Sequence, residues 1–228
     1  MVSVVSDSPP ACGHQHRVRS GTLWDRVSLV HWEWGRGFVM STSVSCVEQF
    51  NEVETSRLLL RRWRPSDVTP LAALNADPEV MRYFVSMPDR RVTEAMIAGW
   101  ELKIERQGYG LWAVERRDDG AFLGMTGLNP VPPGIPGHGG MEVGWRLARH
   151  AWGHGYATEA ARAALLVASR AGLAEVWSFT ASLNTRSQAV MGRIGMVLAA
   201  TFDHPDIEHG HPLRPHVLYR IGIANAKT

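Results

Sequence analysis

"RHAWGHGYATEA" (Arg149–Ala160) sets Gly153 and Gly155 either side of His154, directly ahead of an alanine-rich run. The strand-like "MEVGWRLA" (141–148) comes before it, and a helical pattern over 156–171 comes after. A strand-to-helix junction leaves the first helical N–H groups free, and the helix dipole adds partial positive charge there. Glycine has no Cβ to hold a ligand oxygen away. The stretch therefore suits a phosphate or pyrophosphate. It would serve equally as a plain turn.

Two known phosphate loops can be tested on these residues. A P-loop ends in Gly-Lys-Ser/Thr, whereas Tyr156 follows Gly155, which excludes it. The dinucleotide fingerprint wants Gly or Ala where Thr158 stands. Glu175 lies at the right distance for a ribose-binding acid, but it opens its strand rather than closing it.

Outward from the loop, the pattern is regular from Thr55. "RLLLRRW" (57–63) reads as a strand, and Ser66-Asp67 as a helix start. Asp77-Pro78 opens a second short helix over "PEVMRYF". Over 93–108, Met96, Ile97, Trp100 and Ile104 fall at helical spacing, with Thr93 as the expected N-cap and Gly108 as the stop. "GLWAVERR" and "AFLGMTGLN" flank Asp118-Asp119-Gly120, a hairpin signal. A Pro/Gly loop (129–140) then leads to the strand 141–148. In helix 156–171, Ala157, Ala160, Ala161, Ala164, Leu165 and Ala168 make one small-residue face. Strand 175–183, helix "NTRSQAVMGRIG" with Gly195 as its stop, and strands "MVLAATFD" and "HVLYRIGI" complete the order. The helix between strands 141–148 and 175–183 forces a crossover, so those two run parallel in an otherwise mostly antiparallel, mixed α/β (α+β) sheet. Helices cover both faces.

Residues 1–52 lack sustained periodicity and read as an irregular or disordered extension, with Met40 as a second candidate start. Residues 53–224 read as one domain. The 228 residues carry a net charge of +2, which gives no reason to expect a nucleic-acid partner. No apolar run reaches the length of a membrane span, and the start lacks the pattern of a secretory signal. Two cysteines, Cys12 and Cys46, give no disulfide framework. A cytoplasmic monomer or homodimer is the expectation.

Three segments, "WGHGYATEA", "NTRSQAVMGRIGM" and "HPLRPHVLYRI", together resemble the GNAT acetyltransferase superfamily, and in particular its Rim-type branch. The first is similar to the family's acyl-coenzyme A signature, Gln/Arg-x-x-Gly-x-Gly/Ala. The resemblance runs from Arg57 to Ile223. One departure is that His150 fills the Gln/Arg position, with Arg149 one residue earlier.

The resemblance implies a GNAT-like sheet whose parallel pair splays apart. It implies acetyl-CoA as co-substrate, with Arg149, His150, Gly153, His154, Gly155, Tyr156 and Ala157 around its pyrophosphate. Val143, Gly144 and Trp145 would lie along the thioester arm, where a backbone N–H could polarise the carbonyl. Asn184 would contact the cofactor, or simply cap its helix. Glu142 would accept the amine proton, or be an ordinary strand glutamate. Ser187 would protonate the departing thiolate, or be an unremarked first-turn serine; Tyr219 is the reserve acid. The acceptor would be a primary amine, on a protein N-terminus or a small molecule, acetylated directly in a ternary complex.

Other readings of the residues stand beside this one. One is a non-catalytic acyl-CoA-binding module. Another is a metal hydrolase using His204, His209, His211 and His216, although loop histidines without cysteines make a poor metal set and no metal is expected. The run Arg57, Arg61, Arg62 and Arg64 reads as a solvated strand face. Trp100 and Trp112 read as packing residues.

Overall fold

The computed structural model describes residues 3–5, as backbone, and 48–223. Most of the expected extension, including Met40, lies outside the described residues. The strands are β1 (Ser3–Val5), β2 (Glu52–Glu54), β3 (Leu58–Arg61), β4 (Leu111–Arg116), β5 (Phe122–Pro130), β6 (Met141–Leu147), β7 (Glu175–Ala181), β8 (Val197–Asp203) and β9 (Pro215–Gly222). The helices are α1 (Val68–Asn75), α2 (Arg90–Gln107), α3 (Tyr156–Arg170) and α4 (Thr185–Arg193). The strands form one sheet in the order β1-β2-β3-β4-β5-β6-β7-β9-β8. Every neighbouring pair is antiparallel except β6 and β7. That pair registers only at Glu142 and Trp177. The mixed sheet with one splayed parallel pair is the fold expected from the sequence.

Each sheet face has its own core. On one, the alanines of α3 (Ala160, Ala161, Ala163, Ala164 and Ala168) are fully buried with Leu58, Leu60, Leu128 and Val143. Side chains this small let the helix backbone approach the sheet closely. On the other, α1 and α2 bring Leu71, Leu74, Ile97 and Trp100 onto Ala113 and Met125. Gly108 ends α2 in the left-handed region (φ 82°), where a residue without Cβ is unstrained.

Packing begins before residue 53. Phe50 is fully buried. Its N–H donates to the Gly108 carbonyl (2.8 Å), and its own carbonyl accepts from the Trp112 indole N–H (2.9 Å).

Three local expectations are corrected. Residues 78–84 form consecutive turns, not a helix. The Asp77 carboxylate caps the turn through the Glu79 N–H (2.9 Å), and the segment is too short to nucleate a helix alone. Second, α2 is capped by Asp89, which accepts from the Val92 N–H (2.8 Å), and not by Thr93. Thr93 is buried and accepts from Asn75 Nδ2 (2.9 Å), tying α1 to α2. Third, the arginine run is not uniformly solvated. Arg61 is buried between Asp67 and Glu115, with N–O distances of 2.7 and 2.6 Å.

Candidate active site

The parting of β6 and β7 opens a cleft of about 1200 Å³. Its walls come from both faces of the sheet. Glu142 to Leu147 form one side, and Ser178 to Ala181 the other. Trp152, Gly153, Gly155, Tyr156 and Ala157 border it at the start of α3, and Asn184, Ser187 and Val190 border it along α4. The sequence candidates Glu142, Val143, Gly144, Trp145, Gly153, Gly155, Tyr156, Ala157, Asn184 and Ser187 thus meet on one cleft.

Other candidates do not reach it. Arg149 and His150 lie exposed in a short 3-10 turn before the loop, outside the cleft lining. His154 is exposed and stacks on Tyr156, with ring centroids 5.5 Å apart. Tyr219 turns its hydroxyl to Gln188 Oε1 (3.4 Å), also outside the lining.

Gly153 and Gly155 both have φ of 81°. A side chain at either would strain the backbone. The first bond of α3 runs from the Glu159 N–H to the Gly155 carbonyl (3.1 Å). The N–H groups just before it precede the helical ladder. The loop is held from outside by Arg57. That side chain donates to the His154 carbonyl (2.9 Å), pairs with Glu159 (2.6 Å) and lies over the Tyr156 ring (4.7 Å). Glu159 also accepts from Thr55 Oγ1 (2.6 Å), Ser56 Oγ (3.1 Å) and the Arg57 N–H (3.0 Å). Burial alone would raise its pKa, but these donors together hold it below the usual carboxylate range. Beside the loop, Arg57, Arg162 and Arg193 line a second, shallow depression with Gly155 and Thr158. This basic rim escaped sequence reasoning, because Arg57 is 102 residues from Glu159.

Glu142 sits at the apex of the fork. Burial pushes its carboxyl up to about 7, against the opposing pull of a hydrogen bond from Asn129 and the charge of Lys103. Lys103 itself donates to Asn129 Oδ1 (2.7 Å). A carboxyl with a pKa near neutrality can take up and release a proton at working pH.

Asn184 caps α4, accepting from the Ser187 N–H (3.2 Å). Its Nδ2 donates to Thr180 Oγ1 (3.0 Å) and Ser187 Oγ (3.1 Å). The capping role therefore holds, and both amide protons are committed. With an incoming bond on its oxygen, Ser187 has its own hydroxyl hydrogen free to donate elsewhere.

On the far wall, the His204 and His216 rings lie 4.9 Å apart, tilted by 53°, near Phe179. Burial, reinforced by His204, lowers the His216 pKa. Each imidazole is partly committed: His204 Nδ1 accepts from the Asp206 N–H (3.2 Å), and His216 Nδ1 lies 3.1 Å from the Arg214 carbonyl. Among the described residues no three His, Cys, Asp or Glu side chains converge as a metal set, and no helix is long and apolar enough to cross a membrane.

Residues 57–197 match the family described as an Acetyltransferase (GNAT) domain. Over 114 residues the chain is 41% identical to the uncharacterized protein YkkB of Bacillus subtilis, covering 49% of this chain and 64% of that one. Over 151 residues it is 32% identical to the FsC-acetyl coenzyme A-N(2)-transacetylase of Aspergillus fumigatus, covering 60% and 63%. The matched regions span under two thirds of the length of these curated relatives. A Salmonella typhimurium acetyltransferase, described as modifying the N-terminal serine of ribosomal protein L7/L12, shares the fold. Its TM-score is 0.62 at 18% identity, over 75% of this chain and 97% of that one.

Proposed function

The chain belongs to the GNAT acetyltransferase family, and from that premise we propose that it moves an acetyl group from acetyl-CoA to a primary amine, directly, with both bound at the fork. The observation that carries this reading is the placement of Glu142 and Ser187 on one cleft, beside a glycine loop.

The residues present fit acetyl-CoA. The positive-φ glycines leave backbone N–H groups for a pyrophosphate, and Arg162 and Arg193 supply positive charge next to it, the charge of Arg57 being paired with Glu159. The parting of β6 from β7 beyond Glu142 leaves the strand edge from Val143 to Trp145 bordering the cleft, where a thioester arm could lie. Bound there, acetyl-CoA supplies an activated acyl carbon. Glu142 takes the proton from the attacking amine nitrogen. An α-amine, with a pKa of roughly 8, reaches its neutral form more readily than a lysine near 10.4. The Ser187 hydroxyl gives a proton to the sulfur as the C–S bond breaks, the new C–N bond completes the amide, and exchange with solvent returns a proton to Ser187 and removes the one held by Glu142.

The fungal relative is named for transfer at an N(2) position and the Salmonella neighbour for an N-terminal serine. Both names point to the amine class proposed for this chain. The test is free-thiol release from acetyl-CoA across peptides and small amines. Thiol release that depends on an amine supports the reading. Tight coenzyme A binding with no release on any amine would replace it with a non-catalytic binding module.

A further inference from the structure

On β6, Glu142, Gly144 and Arg146 share one face, because side chains alternate along a strand. That face looks toward α1 and α2: Arg146 Nη1 donates to Asn75 Oδ1 at the end of α1 (2.6 Å). The guanidinium also lies against the Phe84 ring, 4.4 Å from its centroid, and lines the cleft. It has no carboxylate within ion-pair distance among the described residues. Its Nε is buried without a hydrogen-bond partner, alone in this among the side-chain N and O atoms of the described residues. Asn75 engages Nη1 only, so Nε and Nη2 have no acceptor among the described residues. Nε is shielded from solvent, so a carboxylate that pairs with both must shift the side chains around it.

A buried cation with a vacant donor edge is costly unless something compensates it. The Nε–Nη2 edge matches a carboxylate, which can accept two parallel N–H bonds. Gly144 has open space where a side chain would stand, midway between Glu142 and Arg146. Each neighbour is two strand residues away, about 7 Å along the chain.

We propose that the acceptor is an amine carrying a carboxylate, with its nitrogen above Gly144 beside Glu142 and its carboxylate on Arg146. This rests on the acetyl-transfer reading. The Phe84 ring covers the guanidinium and excludes water from the pair, and Arg146 is a binding residue for the acceptor. Burial moves the Arg146 pKa down to about 10, which still leaves it charged at neutral pH.

The experiment compares matched acceptors that differ only in the free carboxylate: glycine with glycinamide, β-alanine with β-alaninamide, and Ala-Asp with Ala-Asn. The readout is kcat/KM for thiol release from acetyl-CoA. In at least one pair the carboxylate member is expected to be favoured about tenfold or more, mainly through KM. In Arg146→Gln, which keeps an amide donor toward Asn75, that ratio is expected to fall toward one. A ratio of one or below throughout, with thiol still released, overturns the inference and leaves acetyl transfer standing. A high ratio that survives in Arg146→Gln overturns the assignment to Arg146. No release with any amine overturns both. If the variant does not fold, the ratios in the unaltered protein decide the acceptor class on their own.

Discussion

Glu142 and Trp177 are the one register pair that joins β6 to β7, and the two parallel strands part beyond them. The carboxylate therefore stands at the apex of the fork, with a pKa pushed up to about 7 by burial. With Glu142 as the proposed base, activity should rise as pH passes that value, because only the deprotonated form accepts a proton. Glu142→Gln should lower kcat/KM by on the order of 10²-fold or more and flatten that limb. A pH series of thiol release measures both. Stability should move the other way. A raised carboxyl pKa favours the folded state while protonated, and that advantage is lost as pH climbs from about 4.5 to about 7. The Gln variant should therefore gain thermal stability on the parent between pH 5 and pH 8.

If Ser187 protonates the thiolate as proposed, Ser187→Ala should reduce kcat by roughly tenfold or more while KM for the acceptor changes little. Asn184→Ala should reduce kcat similarly and also cost about 1 kcal/mol of stability through the lost helix cap. Steady-state kinetics with urea unfolding separates the two effects. Equal kcat in Ser187→Ala and the parent would remove the serine from this role.

Gly155→Val puts a β-branched residue at φ 81°. The strain there is about 1–2 kcal/mol or more, and the loop should shift to relieve it. Calorimetry should show coenzyme A affinity reduced by about tenfold or more. The new Cβ would meet Arg57 Nη2 at 3.6 Å, an ordinary contact, so the loss comes from backbone strain and ligand access, not from a clash within the protein.

Asp67→Ala leaves Arg61 buried with only Glu115 as carboxylate partner. It also removes the acceptor for the Arg64 N–H. Breaking such a pair typically costs about 3–5 kcal/mol. Urea titration should show that drop with no change in unfolding slope.

Glu159 should give the fold an acid-sensitive latch. Its lowered pKa contributes stability that is present above the usual carboxylate range and lost as pH falls through the folded value. Glu159→Gln should narrow the gap between melting temperatures at pH 7 and pH 4. An unchanged gap would show that the Thr55 and Arg57 contacts are energetically idle.

The glycine loop and the buried face of α3 were legible because each is a local pattern, a glycine pair and a 3.6-residue period; the parallel pairing followed from the crossover helix, and its splay only from the family resemblance. What stayed hidden depends on distant partners. Thr93 fits an N-cap as well as Asp89 does, and only Asn75 on α1 draws it into the core. Arg61 sits in a basic run that looks solvated, yet Asp67 and Glu115 from separate elements bury it. Arg146 was within reach of sequence reasoning, since strand alternation already sets it on the face of Glu142. Its missing carboxylate was not.

The two sides of the fork are built of different materials. One rests on backbone groups of the glycine loop and β6; the other takes side chains from the turns at 78–85 and 204–207. Phe84 and Val85 there are 43% and 59% exposed, so they carry little of the packing. Val80, Met81 and Ile207 in the same turns are buried, so only the exposed positions are free to vary without disturbing the fold. On the acetyl-transfer reading, a directed library confined to those exposed positions is the economical way to change acceptor preference.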